Sequence, residues 1–149
     1  MTETNSTPGK AFLDTNILIY MYSNDEPEKQ AAASELVSDE DSEYVISTQV
    51  IGEFINILSR KLGYDIPVIK VAIDDFRDNF DVVLIGADCI DNALSIMGKY
   101  GFSYWNSMII SSALKAECSV LYSEDLQHNQ LIEENLRIVN PFEGDASQS

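Results

Sequence analysis

Short apolar runs alternate along the chain with longer segments in which apolar residues recur every three or four positions. The short runs are typical of buried strands, and the longer pattern is typical of amphipathic helices. The predicted strands are residues 11–15, 44–47, 82–85, 118–122 and 137–139. The predicted helices are residues 16–23, 28–37, 49–62, 66–79, 88–100 and 104–116. Because strands and helices alternate, we expect an α/β fold in which helices cover both faces of a central parallel sheet.

Side chains that suit helix ends border two of the predicted helices. Thr48 precedes helix 49–62, and Ser103 precedes helix 104–116. A hydroxyl at such a position accepts a hydrogen bond from an amide of the first helical turn, so both residues are expected N-caps. Gly63 follows the first of these helices and is an expected C-cap, because glycine adopts the left-handed conformation without strain.

The length and composition of the chain fit a single globular domain. Its 149 residues are enough for a buried core, and 45% of them are apolar. Residues 1–10 contain no apolar segment of the signal-peptide kind, so we expect a disordered arm there. The domain is expected to cover residues 11–142, followed by a disordered polar tail at residues 143–149. No apolar run approaches the roughly 18 residues of a membrane span, so no membrane association is expected.

The two cysteines bear on redox environment. Cys89 and Cys118 both lie among apolar residues, which favours a packing role over a disulfide framework. Free buried thiols are typical of a reducing compartment, so we expect a cytoplasmic protein.

The charge balance narrows the possible partners. The chain has 25 acidic and 9 basic residues, for a net charge of −16. Affinity for a phosphate backbone normally comes from lysine and arginine, so a broad basic nucleic-acid surface is excluded. A solvated acidic surface, a metal site and a basic protein partner all remain compatible with this charge.

Acidic side chains follow three of the predicted strands. Asp14 ends the first strand, Glu53 lies in the helix after the second, and Asp125 follows the fourth. In open α/β sheets, sites form at the carboxyl ends of the strands. Each acid also has a purely structural interpretation. Asp14 would cap a helix, Glu53 would pair with Arg60, and Asp125 would lie in the first turn of a short helix capped by Ser123.

A fourth polar residue, Asn106, lies in the first turn of the helix after Ser103. A cluster of carboxylates would repel itself unless it were neutralised, and Mg²⁺ or Mn²⁺ is the natural counter-charge for oxygen ligands. One or two such ions support hydrolysis of a phosphodiester. No Cys/His zinc spacing competes with this hypothesis, because His128 is the only histidine.

Two aromatic residues precede Asn106. Tyr104 and Trp105 are candidates for stacking on nucleobases. Their position at the start of an apolar helix favours core packing instead.

Four segments together carry a family resemblance. They are residues 12–16 (FLDTN), 48–53 (TQVIGE), 104–110 (YWNSMII) and 121–127 (LYSEDLQ). With these motifs the chain resembles a PIN domain, the nuclease family that includes the VapC-type toxins of toxin–antitoxin systems. The resemblance covers about residues 11–140. It implies a three-layer α/β/α sandwich, Mg²⁺- or Mn²⁺-dependent endoribonuclease activity, a cognate antitoxin and a homodimer.

The resemblance also implies roles for individual residues. Asp14, Glu53 and Asp125 match acidic metal-site residues of the family. Ser123 matches a supporting hydroxyl. Thr15 and Asn16, which adjoin Asp14 in the same motif, are assigned to the same supporting group.

Asn106 departs from the family pattern, because the family usually has a third acid, typically Asp, at this position. We therefore expect Asn106 to act as a weakened catalytic residue, with Glu124 as a possible substitute ligand. Two hypotheses follow: a metal-dependent ribonuclease of reduced activity, or a catalytically degenerate PIN-fold binding module. A receiver-type domain is a poorer match, because the chain lacks a paired acid near its start and a lysine after its last strand.

Overall fold

The structure is a computed structural model that describes residues 9–143. The rest of the expected N-terminal arm and of the expected C-terminal tail lies outside these residues. Within them, every helix is too short or too polar to cross a membrane.

Strands and helices alternate along most of the chain. The strands are β1 (Lys10–Leu13), β2 (Glu43–Ser47), β3 (Asp81–Val83), β4 (Val120–Tyr122), β5 (Leu131–Ile132) and β6 (Leu136–Val139). The helices are α1 (Thr15–Tyr20), α2 (Pro27–Val37), α3 (Thr48–Arg60), α4 (Ile66–Asn79), α5 (Ala87–Tyr100) and α6 (Tyr104–Lys115). All six predicted helices and all five predicted strands are present, with boundaries that differ by a few residues.

The strands form one mixed sheet in the order β3-β2-β1-β4-β6-β5. The pairings that join β3, β2, β1, β4 and β6 are parallel, as expected, and β5 pairs antiparallel with β6. Because β1 lies between β2 and β4, the end of β1 is surrounded by the ends of both neighbours. The register pairs Leu13 of β1 with Tyr122 of β4. Asp14 directly follows Leu13, and Ser123 directly follows Tyr122. These two residues therefore lie side by side just beyond the paired ends of β1 and β4.

Helices flank this sheet in an α/β/α arrangement and bury its central strands. Helices α1, α3 and α4 pack in sequence, and α5 packs along α6. Phe12, Leu13, Ile46 and Leu121 are fully buried in the strands. The carboxyl edge of the sheet is therefore held by a rigid core.

The cysteines behave as packing residues, as predicted. Cys89 and Cys118 are buried and free. Burial raises the pKa of the Cys118 thiol to about 12, so it stays protonated and unreactive at neutral pH.

The start of α3 differs from the expectation. Ser47 is the N-cap, and its Oγ accepts from the Val50 amide at 3.2 Å, whereas Thr48 is the first helical residue. The expectation for Thr48 was wrong by one position. Ser47 is both the last residue of β2 and the N-cap of α3, and the apolar pattern indicated only its place in the strand. The expected cap of α6 is confirmed, since Ser103 Oγ accepts from the Asn106 amide at 3.1 Å.

Candidate active site

Asp14 occupies the centre of the carboxyl edge of the sheet. Its amide donates to the Tyr122 carbonyl at 3.0 Å, which continues the β1–β4 pairing by one residue. Ser123 Oγ donates to Asp14 Oδ2 at 2.8 Å, and the Thr15 amide donates to Asp14 Oδ1 at 2.7 Å. Asp14 is thus the N-cap of α1 and also one wall of a cleft. Its structural and functional interpretations are compatible with each other.

The Asp14 carboxylate is electrostatically costly. Only 5% of the residue is exposed, and desolvation raises its pKa from 3.8 to about 6. The hydrogen bonds from Ser123 and Thr15 lower this pKa, and the charges of Asp125 and Glu53 raise it further. The ion pairs among residues 9–143 do not include Asp14. A cation at this point would therefore stabilise the charged form.

Glu53 reaches the same cleft from α3. Its Oε1 accepts from Thr15 Oγ1 at 2.6 Å, and its Oε2 accepts from the indole Nε1 of Trp105. The alternative pairing with Arg60 is wrong, because that side chain is exposed and forms no ion pair among the described residues. Glu53 therefore joins three helices, α1, α3 and α6.

Asp125 reaches the cleft from the turn after β4. Its amide donates to Ser123 Oγ at 3.1 Å, and its Oδ2 accepts from Asn16 Nδ2 at 3.1 Å. The short helix expected here is absent from this described segment, where bends and turns follow β4. The Ser123 hydroxyl explains the difference, since it joins Asp125 to Asp14 instead of capping a helix.

The four sequence-predicted residues and two of their expected supporters line one small cleft of about 80 Å³. Its lining residues are Asp14, Thr15, Asn16, Glu53, Ile57, Trp105, Asn106, Ile109 and Asp125. The third supporter, Ser123, lies directly behind Asp14. Of the residues that the structure describes, three carboxylates and no basic side chain line this cleft.

The donor set of the cleft suits a hard divalent cation, because it consists of carboxylate, amide and hydroxyl oxygens. Within residues 9–143, however, no three His, Cys, Asp or Glu side chains are already arranged as a metal-binding group. Asn106 lines the cleft with an uncharged amide, and the indole of Trp105 donates to one oxygen of Glu53.

Glu124 is not available as the substitute ligand that the sequence suggested. It forms an ion pair with Lys29 and accepts from the Tyr20 hydroxyl at 2.6 Å. Although burial raises the pKa of Glu124, the bonds from Lys29 and Tyr20 keep that pKa below its usual value. Tyr20 of α1 and Lys29 of α2 thus hold Glu124, and these contacts anchor the turn that carries Glu124 and Asp125.

The expectation that Tyr104 and Trp105 pack in the core was wrong. They are 36% and 52% exposed, respectively, although residues 107–113 of the same helix are all buried. The first turn of α6 projects beyond the core. The bond from Trp105 to Glu53 was also missed, because no local pattern connects residues that are 52 positions apart.

Comparison with known families agrees with this geometry. The sequence model of the PIN domain matches residues 11–141. The chain belongs to the PIN domain family. PIN domains are a family of nucleases, so the resemblance of the four motifs is confirmed at the level of the family. No curated protein sequence matches the chain significantly.

Solved structures of similar fold come from toxin–antitoxin systems. The PIN domain described here is similar to VapC20 of Mycobacterium tuberculosis, a sarcin-ricin loop cleaving toxin. The TM-score is 0.65 at 18% identity, over 77% of this chain and 89% of that chain. It is also similar to a toxin–antitoxin complex from Klebsiella pneumoniae, with a TM-score of 0.66 at 17% identity over 88% and 97% of the two chains. VapBC2 of Rickettsia felis, bound to a promoter DNA fragment, gives a TM-score of 0.56 at 18% identity over 88% and 98%. At these identities, the comparisons establish the shared fold.

Proposed function

We propose that this PIN domain is a metal-dependent endoribonuclease and the toxin of a toxin–antitoxin pair. The observation that carries the proposal is the convergence of Asp14, Glu53 and Asp125 on one cleft without a basic residue. Such a cleft repels a phosphate unless a cation is bound between the carboxylates and the phosphate. Metal-dependent hydrolysis therefore accounts for both the acidity of the cleft and its place at the carboxyl edge of the sheet.

Asp14, Glu53 and Asp125 would hold Mg²⁺ or Mn²⁺. When bound, the ion supplies Lewis-acid activation of water and neutralises charge on the phosphate. Asp14 contributes a carboxylate that is oriented from both sides by Ser123 and Thr15. Its pKa of about 6 means that the group is mostly ionised at neutral pH. Hydrolysis of this type leaves a 5′-phosphate and a 3′-hydroxyl, as the family resemblance implies.

The supporting residues fix the positions of the acids. Thr15 donates its amide to Asp14 and its hydroxyl to Glu53, so one residue sets the spacing of two carboxylates. Asn16 holds Asp125 by a side-chain bond at 3.1 Å. These contacts connect three separate segments of the chain and would limit the freedom of the ligands before a metal binds.

Asn106 would weaken this activity. An amide oxygen contacts a cation without carrying charge, so the cleft has one negative charge fewer than an aspartate would give it. We infer weak cleavage by the chain as it stands and stronger cleavage by Asn106→Asp.

The test uses the purified chain, a 5′-labelled structured RNA and Mn²⁺, with Asn106→Asp and Asp14→Asn measured in parallel. We expect slow cleavage by the unaltered chain, at least tenfold faster cleavage by Asn106→Asp, and none by Asp14→Asn. EDTA should stop the reaction. The proposal fails if neither the unaltered chain nor Asn106→Asp cleaves RNA with Mn²⁺ present while both remain folded by circular dichroism.

A degenerate binding module is the second candidate function. It is favoured by Asn106 and by the absence, among the described residues, of a group already arranged to hold a metal. Calorimetric titration with Mn²⁺ separates the two candidates. A nuclease site should bind Mn²⁺ and lose it in Asp14→Asn, whereas a degenerate module should show no binding that depends on Asp14.

The proposed partners follow from the same function. Structural neighbours were solved as toxin–antitoxin complexes, and the net charge of −16 favours a basic antitoxin. The family resemblance implies a homodimer, and exposed apolar side chains such as Leu84 and Leu94, at 74% and 55% exposure, are available to such an interface. An RNA substrate and two free thiols are consistent with a cytoplasmic location. Light scattering of the purified chain tests the dimer, and co-purification with a co-encoded small basic protein tests the antitoxin.

A further inference from the structure

A second and larger groove adjoins the acidic cleft. Its volume is about 500 Å³, and it runs between α3 and the first turn of α6. Its lining residues are Thr48, Gln49, Gly52, Glu53, Asn56, Ile85, Ile90, Tyr104, Trp105 and Met108. Glu53 and Trp105 line both spaces, so an occupant of this groove lies directly beside the candidate metal ligands.

The groove is suited to an uncharged ring. Among residues 9–143, Glu53, at the boundary with the cleft, is the only charged residue that lines the groove, and Ile85, Ile90 and Met108 form an apolar wall. A phosphate would meet no cation here. A flat heteroaromatic ring would contact apolar carbon on its faces and the polar rim at its edge.

Two aromatic side chains project into this region. Trp105 and Tyr104 have ring centroids 6.2 Å apart and ring planes inclined by 36°. The indole of Trp105 is 52% exposed, yet its N–H donates to Glu53, which fixes the orientation of the ring. An exposed aromatic ring of fixed orientation is a ready platform for stacking.

Gln49 provides an unsatisfied acceptor. Its Oε1 is buried and has no hydrogen-bond partner among the described residues. Its Nε2 donates only a long bond, at 3.4 Å, to the Trp105 carbonyl. A buried acceptor without a partner costs free energy, so a ligand that offers an N–H here gains more than it would in water. A turn of the terminal amide toward the groove would break only that long bond.

Gly52 keeps the groove open. It lies inside α3, where glycine is a poor helix former, and a Cβ placed there would meet no atom within 4 Å. The backbone therefore does not require glycine at this position. The missing side chain instead leaves space in the groove wall.

We propose that this groove binds a nucleobase with an exocyclic amino group, stacked on Trp105 with the amino group donating to Gln49 Oε1. The proposal rests on the proposed function, since a base held there would set the adjoining phosphate of an RNA chain beside Asp14 and Glu53. Adenine, cytosine and guanine each carry such an amino group. The unpaired acceptor and the continuity with the acidic cleft favour a base over a second copy of the chain.

The test measures nucleoside binding without metal and without cleavage. Trp105 is the only tryptophan in the chain, so its fluorescence reports on this groove and on the acidic cleft that it also lines. Adenosine is compared with purine riboside, and cytidine with pyrimidin-2-one riboside, because each pair differs only in the amino group. We expect saturable quenching, with the amino nucleoside binding about fivefold more tightly in each pair, as for one added hydrogen bond.

Substitutions separate the two contacts. Gln49→Leu should remove the difference within each pair and keep the quenching, while the same change at Gln130, outside the groove, should leave both unchanged. Gly52→Leu should weaken binding at least tenfold by filling the groove. Gly98→Leu is its matched control, since this α5 glycine also has open space around it and does not line the groove.

Several results would overturn the proposal. One is quenching that does not saturate and equals that of free N-acetyltryptophanamide. Another is equal binding within both nucleoside pairs by the unaltered chain. A third is Trp105 emission that changes with protein concentration and not with nucleosides, which would assign the groove to a second copy. If the chain binds nucleosides as expected but neither it nor Asn106→Asp cleaves RNA, the result counts against the proposed function and not against the nucleobase site.

Discussion

Ser123 Oγ donates to Asp14 Oδ2 at 2.8 Å, and this bond joins residues 109 positions apart in the chain. The same oxygen accepts from the Asp125 amide at 3.1 Å. One buried hydroxyl thus orients the central carboxylate of the cleft and the turn that carries its neighbour. A small side chain at the end of β4 therefore determines how two acids are presented.

Ser123→Ala should raise the pKa of Asp14 above its present value of about 6, because the hydroxyl bond favours the ionised carboxylate. The loss of the bond should also lower the free energy of unfolding by about 1–2 kcal/mol. Carbon-13 NMR titration of the Asp14 carboxyl and urea unfolding measure the two effects. Ser95→Ala, at an exposed position on α5, is the control. An unchanged or lower pKa would contradict this account.

Asp14→Asn should stabilise the protein without metal at pH 7.5. The Asp14 pKa is raised in the folded state, from 3.8 to about 6, so the folded protein binds this proton more tightly than the unfolded chain. The contribution of the Asp14 proton to stability is complete below pH 3.8 and is lost as the pH rises through 6. At 1.36 kcal/mol per pKa unit, the free energy of unfolding falls by about 3 kcal/mol over this range.

Thermal unfolding at several pH values, with EDTA present, tests this sign. The difference between Asp14→Asn and the unaltered chain should grow from pH 4 to pH 7 and then level off. Added Mn²⁺ should stabilise the unaltered chain only. A difference independent of pH would show that the Asp14 proton is not responsible.

Trp105→Phe should tighten Mn²⁺ binding by about tenfold. The indole N–H holds one oxygen of Glu53, and phenylalanine keeps an aromatic ring without that donor, so the carboxylate is freed. Tyr104→Phe changes the neighbouring exposed ring without touching Glu53 and should leave the affinity unchanged. Calorimetry at constant pH measures both. Weaker Mn²⁺ binding by Trp105→Phe would mean that the indole bond helps to position Glu53.

Lys29→Met should weaken Mn²⁺ binding a few-fold and lower stability by about 1 kcal/mol. Lys29 pairs with Glu124, which adjoins Asp125, so its loss releases the turn and leaves a half-buried charge unpaired. Lys29→Arg should retain most of both properties. If Lys29→Met lowers the melting temperature but leaves Mn²⁺ affinity intact, the pair stabilises the fold without positioning Asp125.

Glycines of different backbone conformation should respond in opposite directions to alanine. Gly52→Ala should stabilise α3 by up to about 1 kcal/mol, because the added Cβ meets no atom within 4 Å. Gly101→Ala should destabilise by about 1 kcal/mol, since Gly101 caps α5 at φ 80°. Urea unfolding of the two variants checks the signs, and destabilisation by Gly52→Ala would contradict the open groove wall.

The sequence was sufficient to predict where the acids meet. Asp14, Glu53 and Asp125 each follow a strand, and parallel strands bring their carboxyl ends to one edge. That argument needs only the order of strands and helices, which the apolar pattern indicates. It therefore tolerates errors of a few residues in the element boundaries.

The sequence was insufficient where a contact joins distant segments. The β5–β6 hairpin was missed because β5 has two residues and its turn places Glu133 and Glu134 at positive φ without a glycine signal. The supposed helix after β4 failed because Ser123 bonds to Asp14 instead. The exposure of Trp105 likewise depends on how far α6 projects beyond the core.

The central position of β1 has a consequence for protein synthesis. This strand is translated before β4, which is one of its two neighbours and in which Val120 pairs with Ala11. Asp14 and Glu53 are therefore translated long before the segment that completes their cleft. A nascent or prematurely terminated chain carries these acids without Ser123 or Asp125 to organise them. Because domains generally fold as units, the cleft should form only after β4 and the turn that follows it have been translated.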